Sequence, residues 1–199
     1  MKIGWLIVAG AGFLLAGCSV VAARQPRISP AESSVFHAVN GLPDFLYPLL
    51  WLPMQCGNLV VGTAAGLVVG IIDRDLAVIV GVILVMALKL VVERFVRKEM
   101  NEYLLVRQRP GTSEVGAILR GGDVPASGPS FPSGHVILAA GIACIVTPNI
   151  ASPWSWVPFT LALLVLVGRM YVGAHNPLDV TAGLGTGLLL GGVIAAFVN

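Results

Sequence analysis

Residues 131–147 read Phe131-Pro132-Ser133-Gly134-His135-Val136-Ile137-Leu138-Ala139-Ala140-Gly141-Ile142-Ala143-Cys144-Ile145-Val146-Thr147. A proline, a small hydroxyl residue, a glycine and a histidine stand directly before an uncharged run. Pro132 fits the first turn of a helix, where its missing N–H costs nothing. Ser133 and Gly134 then leave backbone N–H groups open at the positive end of that helix. Such a start binds anions, phosphate above all. His135 adds a group that exchanges a proton near neutral pH. An ordinary helix start with a surface histidine has the same local pattern, so its meaning depends on what the rest of the chain brings to it.

The run after His135 is one of several. The chain is 56% hydrophobic and 11% charged, against roughly 25% charged residues in soluble domains. Its mean hydropathy is +0.89. Several near-uncharged stretches are about as long as a bilayer is thick, which implies an integral membrane protein with an all-α fold. A net charge of +2 gives no footprint for nucleic acid. Cys18, Cys56 and Cys144 sit in apolar segments without metal-ligand spacing or a disulfide framework.

Six spans are expected in one domain over residues 1–199. The first is Ile3–Ala23. A rival reading takes Leu15-Ala16-Gly17-Cys18 as a lipoprotein cleavage box after a signal peptide. The apolar run continues past Cys18, which favours a retained helix. Over residues 29–41, Ser29-Pro30-Ala31-Glu32 opens a short amphipathic helix. Ser29 is its cap, Glu32 the return arm of a capping box, and Val35, Phe36 and Val39 one apolar face. Such a helix suits the membrane interface, with His37 as a surface residue. The catalytic core follows over residues 45–199. Its spans are Tyr47–Ile72, with Gln55 and Asn58 facing other helices; Leu76 to about Val92, with Lys89 near its end; Pro132–Thr147; Trp154–Gly168; and about Leu178–Val198. A charged helical extension over Glu93–Glu102 and a Gly-, Ser- and Pro-rich loop at 111–130 join the third and fourth spans.

Consecutive spans alternate in direction, so the end of an odd span and the start of an even one share a membrane surface. Arg109 follows span three; Ser133, Gly134 and His135 open span four; Arg169 and His175 follow span five; Asp179 opens span six. Ionisable residues at membrane depth are costly and usually functional. Arg109 and Arg169 offer forked donors for phosphate oxygens. His175 and Asp179 are four apart, so a continuing helix would put them on one side. Asp179 could then hold one tautomer of His175 and leave its other nitrogen to attack. His135 is then the acid for the leaving oxygen. Zinc could use His135, His175 and Asp179, but two nearby arginines oppose a cation.

These residues resemble the motifs of the type 2 phosphatidic acid phosphatases (PAP2), related in fold to vanadium haloperoxidases. The family pattern is Lys, six residues, Arg-Pro; then Pro-Ser-Gly-His; then Ser-Arg, five residues, His, three residues, Asp. This chain matches at Arg109-Pro110, Pro132-Ser133-Gly134-His135, Arg169, His175 and Asp179. The resemblance implies a six-helix membrane bundle in which His175 forms a phosphohistidine, Asp179 orients it and His135 protonates the leaving group. Arg109, Ser133, Gly134 and Arg169 then bind the phosphoryl oxygens, with no metal and no cofactor. Gly168 stands where the family has serine, and Glu102 where it has lysine. Lys98 and Arg107 are the nearby cations that could replace that lysine.

The implied activity is hydrolysis of a lipid phosphate within the bilayer. The small size and six spans resemble bacterial members, which act on polyprenyl diphosphates, phosphatidic acid or phosphatidylglycerol phosphate; the first is favoured here. A lipid phosphotransferase using the same intermediate, a haloperoxidase holding vanadate and a non-catalytic lipid-phosphate binder are the alternatives. The resemblance puts the site on the outer face of the cytoplasmic membrane. The positive-inside rule favours the other face, because Arg24, Arg27, Arg94, Arg97, Lys98, Arg107, Arg109 and Arg120 lie on the site side.

Overall fold

The computed structural model describes residues 2–25, 27–96, 98, 107–122 and 124–198. Among them the secondary structure is helical apart from one isolated bridge, Gln108 to Pro129. The principal helices are α1 (Lys2–Ala22), α2 (Pro30–Asn40), α3 (Tyr47–Met54), α4 (Leu59–Ile72), α5 (Leu76–Phe95), α6 (Gly134–Val146), α7 (Val157–Tyr171) and α8 (Pro177–Val198).

The long runs end where charge or turn residues stop them. Asp75 caps α5 by accepting from the N–H groups of Ala77 and Val78, and Arg74 before it takes φ 53°. Ser29 accepts from Glu32 N–H at 3.2 Å at the start of α2, and Gly41 closes that helix on His37 O.

Four helical stretches are long and apolar enough to cross a bilayer: Lys2–Ala22, Leu76–Phe95, Trp154–Tyr171 and Pro177–Val198. This is a multi-pass membrane protein. The expected second span is a broken one. Asp44–Gly57 and Leu59–Ile72 meet at 70°, because a 3-10 turn at Gln55–Gly57 ends the first half and Asn58 caps the second. Gln55 and Asn58 therefore serve the break: Gln55 donates back to Trp51 O, and Asn58 accepts from Val60 and Val61. The expected fourth span, α6, has 13 residues, about 20 Å at 1.5 Å per residue, too short to cross by itself. It begins at Gly134 with Ser133 as cap, so Pro132 precedes the helix instead of opening it.

α6 is the centre of the bundle. Every residue from Val136 to Val146 is buried, packed by Val78, Val82 and Val85 of α5, Ala195 of α8 and the inner faces of α4 and α7. Between apolar helices in lipid, close packing replaces the hydrophobic driving force, so small residues sit at the crossings. A Cβ on Gly12 of α1 would lie 2.5 Å from the Leu189 backbone N of α8. Ser19 Oγ also meets Thr181 Oγ1 at 3.1 Å.

α2 differs from its expected form. Its buried face is Glu32, Phe36 and Asn40, at i, i+4 and i+8, and Val35 is exposed. The helix packs on α7 and α8. Glu32 does not return to its own cap. The two ends of the expected loop are tied together: Arg109 N–H donates to Gly128 O and Ser130 N–H to Arg107 O, and a helical turn at Pro110–Ser113 follows Arg109.

Candidate active site

The starts of α6 and α8 are tied together at one end of the bundle. Ser133 N–H donates to Asp179 O at 2.9 Å. The chain leaving α7 turns at Gly173 (φ 78°), where a Cβ would also press on Ile118 O, and the N–H groups of Ala174 and His175 return to Arg169 O. Arg169 and His175 are thus held on one turn of backbone. Arg109 reaches the same turn, donating from Nη1 to Ala174 O at 2.9 Å. Fully buried Asn176 braces the other side through Gln108 O and Ser113 Oγ.

These ties enclose a cleft of about 270 Å³. It is lined by Lys89, Glu93, Arg109, Gly134, His135, Arg169 and His175, with a rim from Pro125 and 129–132. His175 Nδ1 faces Asp179 Oδ2 at 3.8 Å, longer than a hydrogen bond. Asp179 is fully buried, and its Oδ2 accepts from Asn176 N–H at 2.8 Å. Burial pushes the His175 imidazole below its ordinary value against the upward pull of Asp179, and Arg169 and Arg109 add to the depression. Both arginines thus favour the neutral form of this imidazole.

The residues singled out from sequence are placed as follows. Arg109, Gly134, His135, Arg169 and His175 share the cleft. Asp179 lies behind His175. Ser133 is fully buried and outside the lining, and its Oγ makes no hydrogen bond among the described residues. Arg107 turns away from the cleft into a buried pair with Glu32 and a 3.3 Å contact from Nε to Asp179 Oδ1. Lys98 lines an adjoining hollow with Leu90, Glu93 and Arg94. Glu102 lies outside the described residues. At Gly168, a Cβ would lie 2.5 Å from Met54 Cγ, so the methionine fills the space a serine side chain would use.

Two lining residues escaped the sequence reading of the site. Lys89, from the end of α5, is buried and pairs with Glu93 one turn on, Nζ to Oε2 at 2.8 Å. A Cβ on Gly134 would overlap Glu93 Oε1, so the glycine lets this pair approach the start of α6. The available signal was the charge of Lys89 inside an apolar run with a carboxylate at i+4. Among the described residues, no three His, Cys, Asp or Glu side chains converge as metal ligands.

Residues 76–199 match the family model of the PAP2 superfamily. The chain belongs to the PAP2 superfamily. The match covers α5 to α8 and every cleft residue. An undecaprenyl-diphosphatase from Sulfolobus acidocaldarius is 46% identical over 56 residues, 27% of this chain. That alignment spans 26% of the relative's length. Among solved structures, LpxE of Aquifex aeolicus aligns with a TM-score of 0.64 at 23% identity, over 81% of this chain and 92% of its own. The chain therefore shares the fold of that solved protein. The PAP2-type phosphatidylglycerolphosphate phosphatase of Bacillus subtilis aligns at a TM-score of 0.48 and 21% identity, over 98% and 92% of the two chains.

Proposed function

We propose that this chain is a metal-independent lipid phosphate phosphatase of the cytoplasmic membrane, working through a phosphohistidine on His175. The observation that carries the reading is the cleft itself. A buried histidine with a carboxylate behind its Nδ1 faces a second histidine, two arginines, a lysine and an open helix start. His175 Nε2 attacks phosphorus as the P–O bond to the leaving group breaks, and His135 gives that oxygen a proton. Water then attacks the phosphohistidine, His135 takes the proton, and His175 leaves as neutral imidazole. Arg109, Arg169, Lys89 and the backbone N–H at Gly134 hold the phosphoryl oxygens. One such preorganised donor is worth about 100- to 1000-fold in rate, and the proton transfer about 100- to 10000-fold.

A polyprenyl diphosphate is the favoured substrate, its terminal phosphorus attacked and the lipid monophosphate leaving. Two observations support it. One is the 56-residue stretch shared with an undecaprenyl-diphosphatase. The other is an apolar groove of about 390 Å³ between α4, α6 and α7 that starts at Cys56 and Ala139, the latter one turn below His135 on α6. The site is assigned to the extracytoplasmic face. That assignment follows the family resemblance; the Lys and Arg count of the site-side segments opposes it, and thiol labelling of the site-side loop decides.

The test is phosphate release by purified protein in detergent with a chelator present. A polyprenyl diphosphate, phosphatidic acid and phosphatidylglycerol phosphate are offered, with His175→Ala as control. Chelator-resistant release that is lost in the variant, with an acid-labile phosphoprotein in the wild type, is the expected result. Release that stops with chelator, or survives without His175, would overturn the mechanism. Phosphate passed only to an added alcohol would make the protein a transferase.

A further inference from the structure

Glu32 was assigned by sequence to its own helix cap, yet its side chain lies in the middle of the protein. It is 7% exposed, on α2, outside the segment matched by the family model. Its Oε1 accepts from Leu178 N–H at the start of α8 at 3.0 Å and from Arg107 Nη2. Arg107, 4% exposed, donates from Nε to Asp179 Oδ1. The other oxygen of Asp179 faces His175. Four buried ionisable groups, from three separate parts of the chain, thus run in series and end on the imidazole.

We propose that Glu32 is a positioning residue for the phosphohistidine chemistry, acting through Arg107 on Asp179 and so on His175; the proposal rests on the reading of His175 given above. The physical case has two parts. A carboxylate held by one oxygen can rotate, and a rotated Asp179 would not present Oδ2 to Nδ1. Arg107 pins Oδ1, and Glu32 pins Arg107. The second part is charge. The imidazole gains positive charge as it attacks phosphorus, and an uncompensated guanidinium behind Asp179 would oppose that gain. Glu32 cancels it. In a buried site such charges are poorly screened. Satisfying Leu178 N–H alone would need only a neutral acceptor, so the presence of a buried carboxylate on a buried arginine points to charge balance.

The groups that face His175 are Asp179 from α8, Arg169 from the end of α7, Arg109 from the segment before Pro110, and His135 from α6; Arg107 stands behind Asp179, on its other oxygen. Lys89 and Glu93 come from α5, and Glu32 acts from α2. Changing only the outer pair therefore has a signed consequence. Glu32→Gln keeps the hydrogen-bonding shape and leaves Arg107 uncompensated, so His175 protonates at lower pH. Arg107→Gln leaves the Glu32 carboxylate uncompensated, so His175 protonates at higher pH. The double variant returns toward wild type. A residue that merely holds α2 in place would not give opposite signs.

Two readouts are used together. Ring nitrogen-15 NMR of the three histidines follows His175 protonation across pH in the detergent-solubilised protein, whether or not it turns over. The rate of phosphate release follows kcat, KM and the acid limb of the pH profile. Glu32→Gln is expected to lower kcat about 10-fold with little change in KM, which corresponds to about 1.4 kcal/mol of transition-state stabilisation. The opposite shifts are expected to be roughly half a pH unit or more. Ser33→Ala, which removes the 2.6 Å bond from α2 to Glu114, is expected to leave the His175 titration in place. Shifts of the same sign in both single variants, or a His175 signal unmoved by Glu32→Gln, would overturn the proposal. Failure of the wild type to release phosphate would sink the phosphatase reading, while the NMR arm still decides the role of Glu32.

Discussion

Lys89 offers the sharpest test of how the cleft handles an anion. Replacing it with glutamine removes the ammonium and keeps a polar chain of similar reach. Lys89 Nζ lies 2.8 Å from Glu93 Oε2, and the two side chains are 10% and 15% exposed. Unit charges about 4 Å apart are worth about 4 kcal/mol at an effective dielectric near 20. A bound phosphate gains on that order from Lys89 and loses a comparable amount to Glu93. In the wild type the pair is therefore nearly balanced toward an anion, and Lys89→Gln tips it to repulsion. The expected loss in kcat/KM is about 100-fold, or about 2.7 kcal/mol. Glu93→Gln removes the repulsive partner and is expected to lower KM about 3- to 10-fold, a fraction of the same Coulomb energy. Removing one partner of a buried pair also destabilises, by about 3–5 kcal/mol, so the melting temperature in detergent falls in Lys89→Gln. The double variant restores both quantities in part, because no unpaired charge is left. The assay is steady-state phosphate release on the best lipid from the substrate panel, with thermal melts on the same preparations. Equal losses in Lys89→Gln and the double variant, with KM unmoved in Glu93→Gln, would refute the reasoning and make the pair a packing feature.

Three further outcomes are expected. Because burial depresses His175 below its ordinary value of 6.5, its imidazole stays neutral as pH falls through 6.5, which the ring nitrogen-15 shifts of His175 follow directly. By the same linkage the unfolded chain binds that proton first, so stability from this group is full above 6.5 and lost as pH falls toward the folded value; an acid decline of the melting temperature that is no smaller in His175→Ala would contradict it. Glu32, whose carboxyl burial pushes up, contributes with the opposite sign. Gly12→Leu would drive a side chain into the α8 backbone at Leu189 and Gly185, with an expected cost of about 1–3 kcal/mol; an unchanged melt would mean that α1 does not need its close seat. Val115 is 97% exposed on the site-side loop. Val115→Cys, in a variant without Cys18, Cys56 and Cys144, is expected to react with an impermeant thiol reagent in intact cells, and labelling only after lysis would reverse the orientation.

The elements readable from sequence are those whose causes are local. The apolar helices Lys2–Ala22, Leu76–Phe95 and Pro177–Val198 lie within a few residues of their expected bounds, because charges or a proline stand near their ends. Ser29-Pro30 announces the start of α2 for the same reason. The convergence of Arg109, His135, Arg169 and His175 followed from counting spans, since alternating direction is forced on a chain that crosses a bilayer repeatedly. The break in the second span was less legible: Leu59–Ile72 continues the apolar composition of Tyr47–Met54, and only Pro53, Gly57 and Asn58 mark the bend. Lys89 was visible as a charge in an apolar run, but its direction was not.

What sequence alone determined is therefore the membrane class, the helical fold, the family and the surface at which the polar residues gather. These rest on composition and on spacings of a few residues. Tertiary structure decided which polar groups touch. Arg107 lies two residues from Arg109, yet the first points back to Glu32 and Asp179 while the second reaches the cleft beside Ala174. Glu32 carries a capping-box position and meets a partner 75 residues away. Ser133 sits inside the motif and is sealed beneath it. The physical reason is common to all three. A side chain buried among helices takes the partner that satisfies its charge or hydrogen-bonding capacity there, and that partner is set by how the helices pack, not by the residues beside it in the chain.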